Sequence, residues 1–268
     1  MSSEVEYIEE QRLFHGFIPK AMGTRLDIMT VGTPRALVQP VWEAIVEEAE
    51  SLTHMLNRFD PESEVSGVNR SEVRDSIAIS ETLRDLIGTA VEYWHRTEGL
   101  FDITRGRMTE LSLNADGTLF LATPEVNIDF GGIAKGYLLS RIKERLLAAG
   151  VKTAFVDFGN SAILAIGRHP YGDSWKVSLP NPYSGAGVAE FSICDRALST
   201  SGNTPGYTGH IIHPVTGKAN VERKLVCVVD RDPLEAEVLS TVFMLADKGQ
   251  RVRLERAFPE ALINIYTL

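Results

Sequence analysis

Hydrophobic positions along the N-terminal third predict two strands and then a long helix. Residues 12–19 and 24–31 read as strands separated by the turn at 21–24. The helix that follows is predicted to have Thr33 as its cap and Pro34 at its first position. Its apolar side chains recur at helical spacing and define one buried stripe. The stripe comprises Val38, Val41, Trp42, Ile45, Ala49, Leu52 and Leu56.

The middle of the chain alternates polar connections with further elements. The run at 58–70 is polar and rich in turn-forming residues, which predicts a loop. A second helix is predicted over 81–97, capped by Ser80. Residues 118–130 predict short strands, of which 126–130 leads through two glycines into a third helix ending at 149–150.

The C-terminal half predicts mainly strands. Four short runs separated by Gly, Pro and Asn predict an antiparallel meander. A fifth strand leads to a helix with Asp232 as cap and Pro233 in its first turn, and a last strand closes the chain. The runs are 153–158, 162–167, 175–179, 188–194, 224–230 and 261–268. This order predicts an α+β fold with mixed or antiparallel sheets, as a single domain over 1–268.

The composition is that of an ordinary globular protein, and the net charge argues against one class of partner. The 268 residues are 44% hydrophobic and 24% charged, with a formal net charge of −9. An acidic surface repels nucleic acid, so no nucleic-acid partner is expected. A phosphate-bearing ligand would have to be held locally, by backbone amides, a lysine or a metal ion.

Cysteine usage and hydropathy give an expectation for the compartment. Cys194 and Cys227 lie in apolar, strand-like runs without zinc-ligand spacing, so both are predicted to be buried thiols. The first residues are acidic and lack the apolar stretch of a signal peptide, and no run has the length of a membrane span. We expect a cytoplasmic protein, with a trimmed, exported form as the alternative.

The segment from Asp129 to Gly136 is a candidate anion site. A buried strand is predicted to end there, Gly131 and Gly132 turn the chain, and a helix begins around Lys135. Free amides at a helix start, together with a lysine, suit a phosphate group. The spacing matches neither the dinucleotide fingerprint nor the P-loop. A tight turn without a ligand remains an alternative.

Two further segments offer a metal site and a base. Glu237 and Thr241 are four residues apart on a predicted helix and present the hard oxygen ligands that Mg²⁺ takes. His210 and His213 flank an apolar pair after the small, turn-forming run 199–203, and a histidine can deprotonate a hydroxyl. The alternatives are a solvated glutamate and surface histidines.

Apolar residues in two other segments suit a flat ring. Met22 lies in the turn at 21–24, and Phe101 follows the second predicted helix. Together with Phe59, these side chains could flank an aromatic ligand. Core packing is the alternative for each residue.

In this order, the segments resemble the ApbE-type FAD:protein FMN transferases. The resemblance covers most of the chain, from about residue 20 to 245. It rests on seven runs: AMGT at 21–24, RFDPESEVSGVN at 58–69, GLFDIT at 99–104, DFGGIAKGY at 129–137, STSGN at 199–203, HIIHPVTGKA at 210–219 and AEVLST at 236–241.

The resemblance implies a fold of two intimately packed, T-fold-like lobes with FAD between them, and a set of site residues. It implies Mg²⁺ on the FAD pyrophosphate, held by Gly132, Glu237 and Thr241, with His210 as the candidate base. An acceptor protein would receive FMN on a Thr or Ser hydroxyl, and AMP would leave. The implied FAD contacts are Met22, Phe59, Leu100, Phe101, Asp102, Asp129, Lys135 and Ile212.

Some positions depart from the family pattern and leave alternatives open. Glu237 and His213 stand where many members have Asp, Phe59 replaces a frequent Tyr, and the family's lipoprotein signal is absent. Two other functions therefore remain possible at this stage: an FAD pyrophosphatase that uses water and yields FMN and AMP, or a flavin-binding protein without catalysis.

Overall fold

The computed structural model describes residues 1–71 and 76–268, and these form six α-helices and twelve strands. The helices are α1 (Arg35–Met55), α2 (Glu64–Asn69), α3 (Glu81–Arg96), α4 (Ala134–Ala148), α5 (Pro233–Leu245) and α6 (Lys248–Ala257). The strands are β1 (Glu4–Ile8), β2 (Leu13–Ala21), β3 (Thr24–Val31), β4 (Leu111–Leu113), β5 (Leu119–Leu121), β6 (Ala154–Phe158), β7 (Ala162–Ile166), β8 (Trp175–Pro180), β9 (Gly187–Ile193), β10 (Arg196–Gly202), β11 (Lys224–Asp230) and β12 (Leu262–Thr267).

Eight strands form one antiparallel sheet in the order β1-β2-β3-β6-β7-β10-β11-β12. Two hairpins, β4–β5 and β8–β9, stand apart from it. The predicted α+β class is confirmed, and the described sheets are antiparallel rather than mixed. The prediction of two lobes stays a prediction.

Helices cover one face of the sheet, and the β8–β9 hairpin covers part of the other. Helices α1, α4 and α5 contact the strands directly, with α5 lying on β10 and β11. Along β11, Val226 and Val228 join the helical core, whereas Cys227 and Val229 join a second cluster under the hairpin. Because both faces are buried, β7 and β11 read as unbroken apolar runs rather than alternating ones.

The structure corrects several predicted elements in the N-terminal half. The loop predicted at 58–70 contains α2, whose start is capped by the Ser63 hydroxyl accepting the Ser66 amide. Residues 126–130 are not a strand. Pro34, not Thr33, is the cap position of α1, and no side chain caps that helix. The Ser80 cap of α3 is confirmed.

In the C-terminal half, the Asp232 cap of α5 is confirmed. One run there was predicted wrongly, and two elements, one at each end of the chain, were missed. The run 199–203, expected to form a turn, is extended in β10 as far as Gly202. Strand β1 and helix α6 were not predicted. Helix α6 buries only Leu254, so it has almost no apolar stripe, and a capping box between Asp247 and Gln250 begins it. Within the described ranges, no helix combines the length and apolar character needed to cross a membrane.

Candidate active site

A cleft of about 1350 Å³ brings together every site residue that the family resemblance implies. The implied metal ligands, the candidate base and all eight implied FAD contacts line it. They come from segments far apart in the chain, since the cleft joins the turn after β2, the turn before α4, helix α5 and the segment after β10. The twelve residues are Met22, Phe59, Leu100, Phe101, Asp102, Asp129, Gly132, Lys135, His210, Ile212, Glu237 and Thr241.

Close packing of α4 on α5 places Lys135 beside Glu237. A Cβ added at Gly136 would lie 2.7 Å from the Glu237 Cβ, 2.9 Å from the Pro233 carbonyl oxygen and 3.0 Å from the Leu234 Cα. Only glycine permits this approach of the two helices. Gly136, the last glycine of the DFGGIAKGY run, therefore sets the distance between the lysine and the glutamate.

We expect Gly136→Ala to destabilise the fold and to weaken ligand binding in the cleft. Overpacking typically costs about 1–3 kcal/mol, which should exceed the gain of about 1 kcal/mol from replacing a helical glycine. Denaturant unfolding measures the change. Gly88→Ala in α3 is the matched control, because its added Cβ would meet only the Leu113 Cδ1 at 3.8 Å. A stability change for Gly136→Ala no worse than that of the control would contradict this account of the helix contact.

A buried polar network surrounds the Glu237 carboxylate. Its Oε1 accepts a hydrogen bond from the Lys135 Nζ at 2.6 Å, and its Oε2 accepts from the Ser199 Oγ at 2.7 Å. Ser240 links to Ser199 at 3.2 Å and to Ser201 at 2.7 Å. Only 6% of the Glu237 side chain is exposed, so these hydrogen bonds replace the hydration that the buried carboxylate has lost. The serines of the 199–203 run thus orient the glutamate from the neighbouring strand β10.

Thr241 and Gly132 extend this network to the turn before α4. The Thr241 Oγ1 lies 3.4 Å from the Ser201 Oγ, and a Cβ at Gly132 would lie 3.6 Å from the same Thr241 oxygen. The Glu237 network, the Thr241 hydroxyl and the Gly132 turn are therefore adjacent in the cleft, and a carboxylate, a hydroxyl and a backbone carbonyl are hard oxygen donors. Over the described ranges, no group of three His, Cys, Asp or Glu side chains could hold a metal. The donors fit Mg²⁺, which uses few protein ligands and completes its shell with phosphates and waters.

The turn that begins α4 is held by Asp129. Its Oδ1 accepts the Gly131 amide at 2.9 Å, while its Oδ2 accepts the Arg105 guanidinium at 2.6 Å and lies 3.3 Å from the Arg58 Nε. No side chain caps α4, although the Ile133 and Ala134 amides already donate to the Phe130 carbonyl oxygen at 3.0 Å. An anion at this helix start would therefore rely on later amides and on Lys135. Arg58 and Arg105, which also line the cleft, were missed as candidates. Both could have been found by their positions next to candidate residues, because Arg58 directly precedes Phe59 and Arg105 directly follows the GLFDIT run.

Apolar side chains line another part of the cleft. Met22 has a left-handed backbone, with φ of 47°, and its amide donates to the Thr53 Oγ1 at 3.1 Å. Phe59 is 79% exposed, and the Arg58 guanidinium lies 4.4 Å from its ring centroid. Phe101 is buried, with its amide bonded to Thr97. An exposed aromatic ring and a buried one that line the same cleft suit a flat ligand better than core packing does.

The Asp102 carboxylate is committed to its own turn. Its Oδ1 accepts from the Thr104 amide at 2.7 Å and from the Thr104 hydroxyl at 2.6 Å. This turn holds Leu100 and Phe101 against the cleft. The role of Asp102 as a direct FAD contact stays a prediction.

His210 lines the cleft, and its ring is partly buried. Its Nδ1 is buried without a hydrogen-bond partner among the described residues. Burial and, to a smaller extent, the positive charge of Lys135 lower the pKa of the imidazole below its ordinary value. The ring stacks on Tyr207, with centroids 4.0 Å apart and planes at 21°. Tyr207 was not singled out from the sequence, which offers no periodic signal in this irregular segment.

Hydrogen bonds from one buried asparagine hold the loop that carries His210. Asn203 is fully buried, and its amide group donates to the Asn220 and Glu222 carbonyl oxygens at 3.1 and 2.9 Å. Its Oδ1 accepts the Gly209 amide at 3.1 Å, one residue before His210. His213 does not line the cleft, and its Nδ1 accepts the Val215 amide in the following turn.

The chain is similar to known proteins over most of its length. The chain is 23% identical to the FAD:protein FMN transferase of Vibrio cholerae, over 90% of this chain and 85% of the relative. It is 27% identical to the Chlamydia pneumoniae protein of the same name, over 71% of each. Among solved structures, the ApbE protein of Thermotoga maritima aligns with a TM-score of 0.81 and 22% identity, covering 94% of both chains. The flavin transferase ApbE of Vibrio cholerae aligns with a TM-score of 0.78 and 21% identity, covering 98% of this chain and 93% of the other.

The pattern that defines the ApbE family matches residues 22–263, which include all twelve site residues. The match therefore includes the site residues from Met22 to Thr241, and the fold agrees with the solved structures over almost the whole chain. The chain belongs to the ApbE family.

Proposed function

We propose that this protein cleaves the pyrophosphate of FAD and transfers FMN to a threonine or serine hydroxyl of an acceptor protein. One observation carries the proposal: a single cleft joins a helix start with its lysine, a carboxylate–hydroxyl pair and a histidine. These are the groups that a phosphoryl transfer between a diphosphate and an alcohol requires. The FAD:protein FMN transferases to which the chain is similar support the same reaction.

The proposed step exchanges one bond for another at the FMN-side phosphorus. The acceptor oxygen attacks, the bond to the bridging oxygen of the pyrophosphate breaks, and AMP leaves with that oxygen. The hydroxyl proton passes to His210, whose depressed pKa keeps it neutral and ready to accept at neutral pH. The ammonium of Lys135 and the amides of the α4 first turn offset the negative charge of the phosphates.

Glu237, Thr241 and the Gly132 backbone would hold Mg²⁺ in this cleft. A bound Mg²⁺ supplies charge stabilisation to the phosphates and to the leaving AMP. Because both oxygens of Glu237 already have protein partners, metal binding requires the carboxylate to share or release Lys135. A lysine released in this way would be free to pair with the phosphates of FAD.

The decisive experiment offers the protein a choice of acceptors. It is incubated with FAD, Mg²⁺ and a pool of random twelve-residue peptides that each carry one threonine, and the products are analysed by mass spectrometry. We expect peptides carrying covalent FMN, together with an equal amount of AMP. Free FMN and AMP without a modified peptide would indicate hydrolysis by water, and intact FAD would indicate binding without catalysis; either result contradicts the proposal.

The pH dependence of FAD cleavage should report His210. The base must be unprotonated, so activity is lost as pH falls through its pKa and is constant above it. We expect kcat/KM to be flat at neutral pH and to fall below a pKa under 6.5. NMR titration of the ligand-free protein gives this pKa directly. Lys135→Met should raise it, because a nearby positive charge disfavours the imidazolium. An unchanged or lowered pKa in this variant would contradict the assigned arrangement.

A further inference from the structure

Part of the cleft wall carries none of the implied flavin or metal contacts. This part is formed by β8 and by apolar side chains of the large sheet beneath it. Five consecutive residues of β8, Lys176–Pro180, line the cleft. Successive side chains of a strand point to opposite faces, so a run of consecutive lining residues means that the strand presents its backbone edge.

The exposed edge of β8 is unpaired. In the part of the chain that the structure describes, β8 pairs only with β9, in the register Lys176↔Ser192, Val177↔Phe191 and Ser178↔Glu190. The edge that faces away from β9 therefore carries free N–H and C=O groups, which are a template for another strand. Pro180 has no N–H and marks the end of the usable edge.

Side chains leave this edge accessible. Trp175, Val177 and Leu179 are buried against the sheet, whereas Lys176 and Ser178 are exposed. Lysine often guards an edge against pairing, but the Lys176 ammonium is turned onto β9, 2.7 Å from the Ser192 Oγ and 3.4 Å from Glu190. The floor next to the edge is apolar and consists of Phe155, Ile163, Leu198 and Leu225.

We infer that the free edge of β8 binds the acceptor as an added antiparallel or parallel strand, and so brings its hydroxyl to His210. This inference rests on the proposed function, which requires a polypeptide to enter the same cleft as FAD. The occupant is an extended segment of the acceptor: its backbone pairs with β8, and its alternate side chains lie on the apolar floor. Affinity would come largely from main-chain hydrogen bonds, so the mode accepts varied side chains around the modified residue.

The first test is an N-methyl scan of one peptide that the unaltered enzyme flavinylates, chosen from the pool described above. Strand pairing uses every second amide of the added segment. We expect N-methylation at alternate positions to raise the KM for the peptide by about tenfold or more, since a hydrogen bond is lost and the edge is blocked. Methylation at the positions in between should have little effect. Equal tolerance at all positions, or sensitivity without a two-residue period, would overturn the inference.

The second test locates the binding edge on the protein by amide hydrogen exchange. The probe is the same peptide with its threonine replaced by valine, which binds without reacting. We expect protection of β8 amides that face away from β9, while the outer edge of β9, the matched control, stays unchanged. Protection of β9, or of neither strand, would overturn the inference. FAD cleavage to AMP is measured in parallel, so a failure of the proposed function is seen separately from a failure of the docking mode.

Discussion

Replacing Glu237 by alanine is expected to abolish the magnesium dependence of FAD cleavage and to reduce turnover by about 10²-fold or more. The carboxylate is the only acidic side chain among the implied metal ligands, and charge stabilisation by a bound metal is worth several kcal/mol, with each 1.4 kcal/mol giving about tenfold in rate. The removal also leaves Lys135 and Ser199 without their shared acceptor. AMP release, measured across a range of Mg²⁺ concentrations, gives both effects.

Two variants separate loss of the metal ligand from general damage to helix α5. Glu237→Asp keeps the carboxylate that many family members have at this position and should retain metal-dependent turnover. Glu235→Ala lies on the same helix but pairs with Arg96 outside the cleft, and should leave turnover unchanged. Full activity of Glu237→Ala, or metal-independent activity of the unaltered protein, would remove Glu237 from the metal site.

Replacing His210 by alanine is expected to lower turnover by roughly 10²–10⁴-fold, the usual contribution of a general base. Affinity for FAD should change little, because the phosphates and the flavin depend on other parts of the cleft. Stopped-flow turnover and equilibrium binding of FAD, measured on the same preparation, separate the two quantities. The expected pattern is a fall in kcat with an almost constant Kd.

His213 and Tyr207 provide the controls for this variant. His213→Ala removes a neighbouring histidine that does not line the cleft, and it should keep most of the activity. Tyr207→Phe keeps the stacked ring beside His210 and should behave like the unaltered protein, whereas Tyr207→Ala frees the imidazole and should cost activity. If His210→Ala matches His213→Ala in rate, another group is the base.

The elements that bury a clear apolar stripe could be predicted from the sequence, and those that do not could not. Helix α1 presents Trp42, Ile45 and Leu52 at helical spacing and packs them on the sheet, so this helix could be predicted from the sequence. Helix α6 buries only Leu254 and is held by its capping box, so periodicity gave no signal. Helix α2 lies in a polar, turn-rich run, where tertiary packing of Val65 and Val68 outweighs composition.

Convergence of the site segments is a property of topology rather than of local sequence. Lys135 and Glu237 are 102 positions apart, and only the packing of α4 on α5 through Gly136 makes their contact visible. The spacing of Glu237 and Thr241 fits a solvated helix as well as a metal site. The resemblance to the family identified the candidate site residues, and only the folded structure shows that they line one cleft. Tyr207 has no sequence signal because it lies in irregular backbone. The free edge of β8 has none because it depends on which strands pair in the folded protein.

The most direct test of the central claim is AMP release from FAD by the purified protein, before and after removal of divalent metal with a chelator. The protein is given FAD and the threonine peptide pool, and AMP is quantified by chromatography. The account predicts AMP only when Mg²⁺ is present, with recovery when Mg²⁺ is added back. Intact FAD in the presence of Mg²⁺, or AMP release that chelation does not affect, would contradict it.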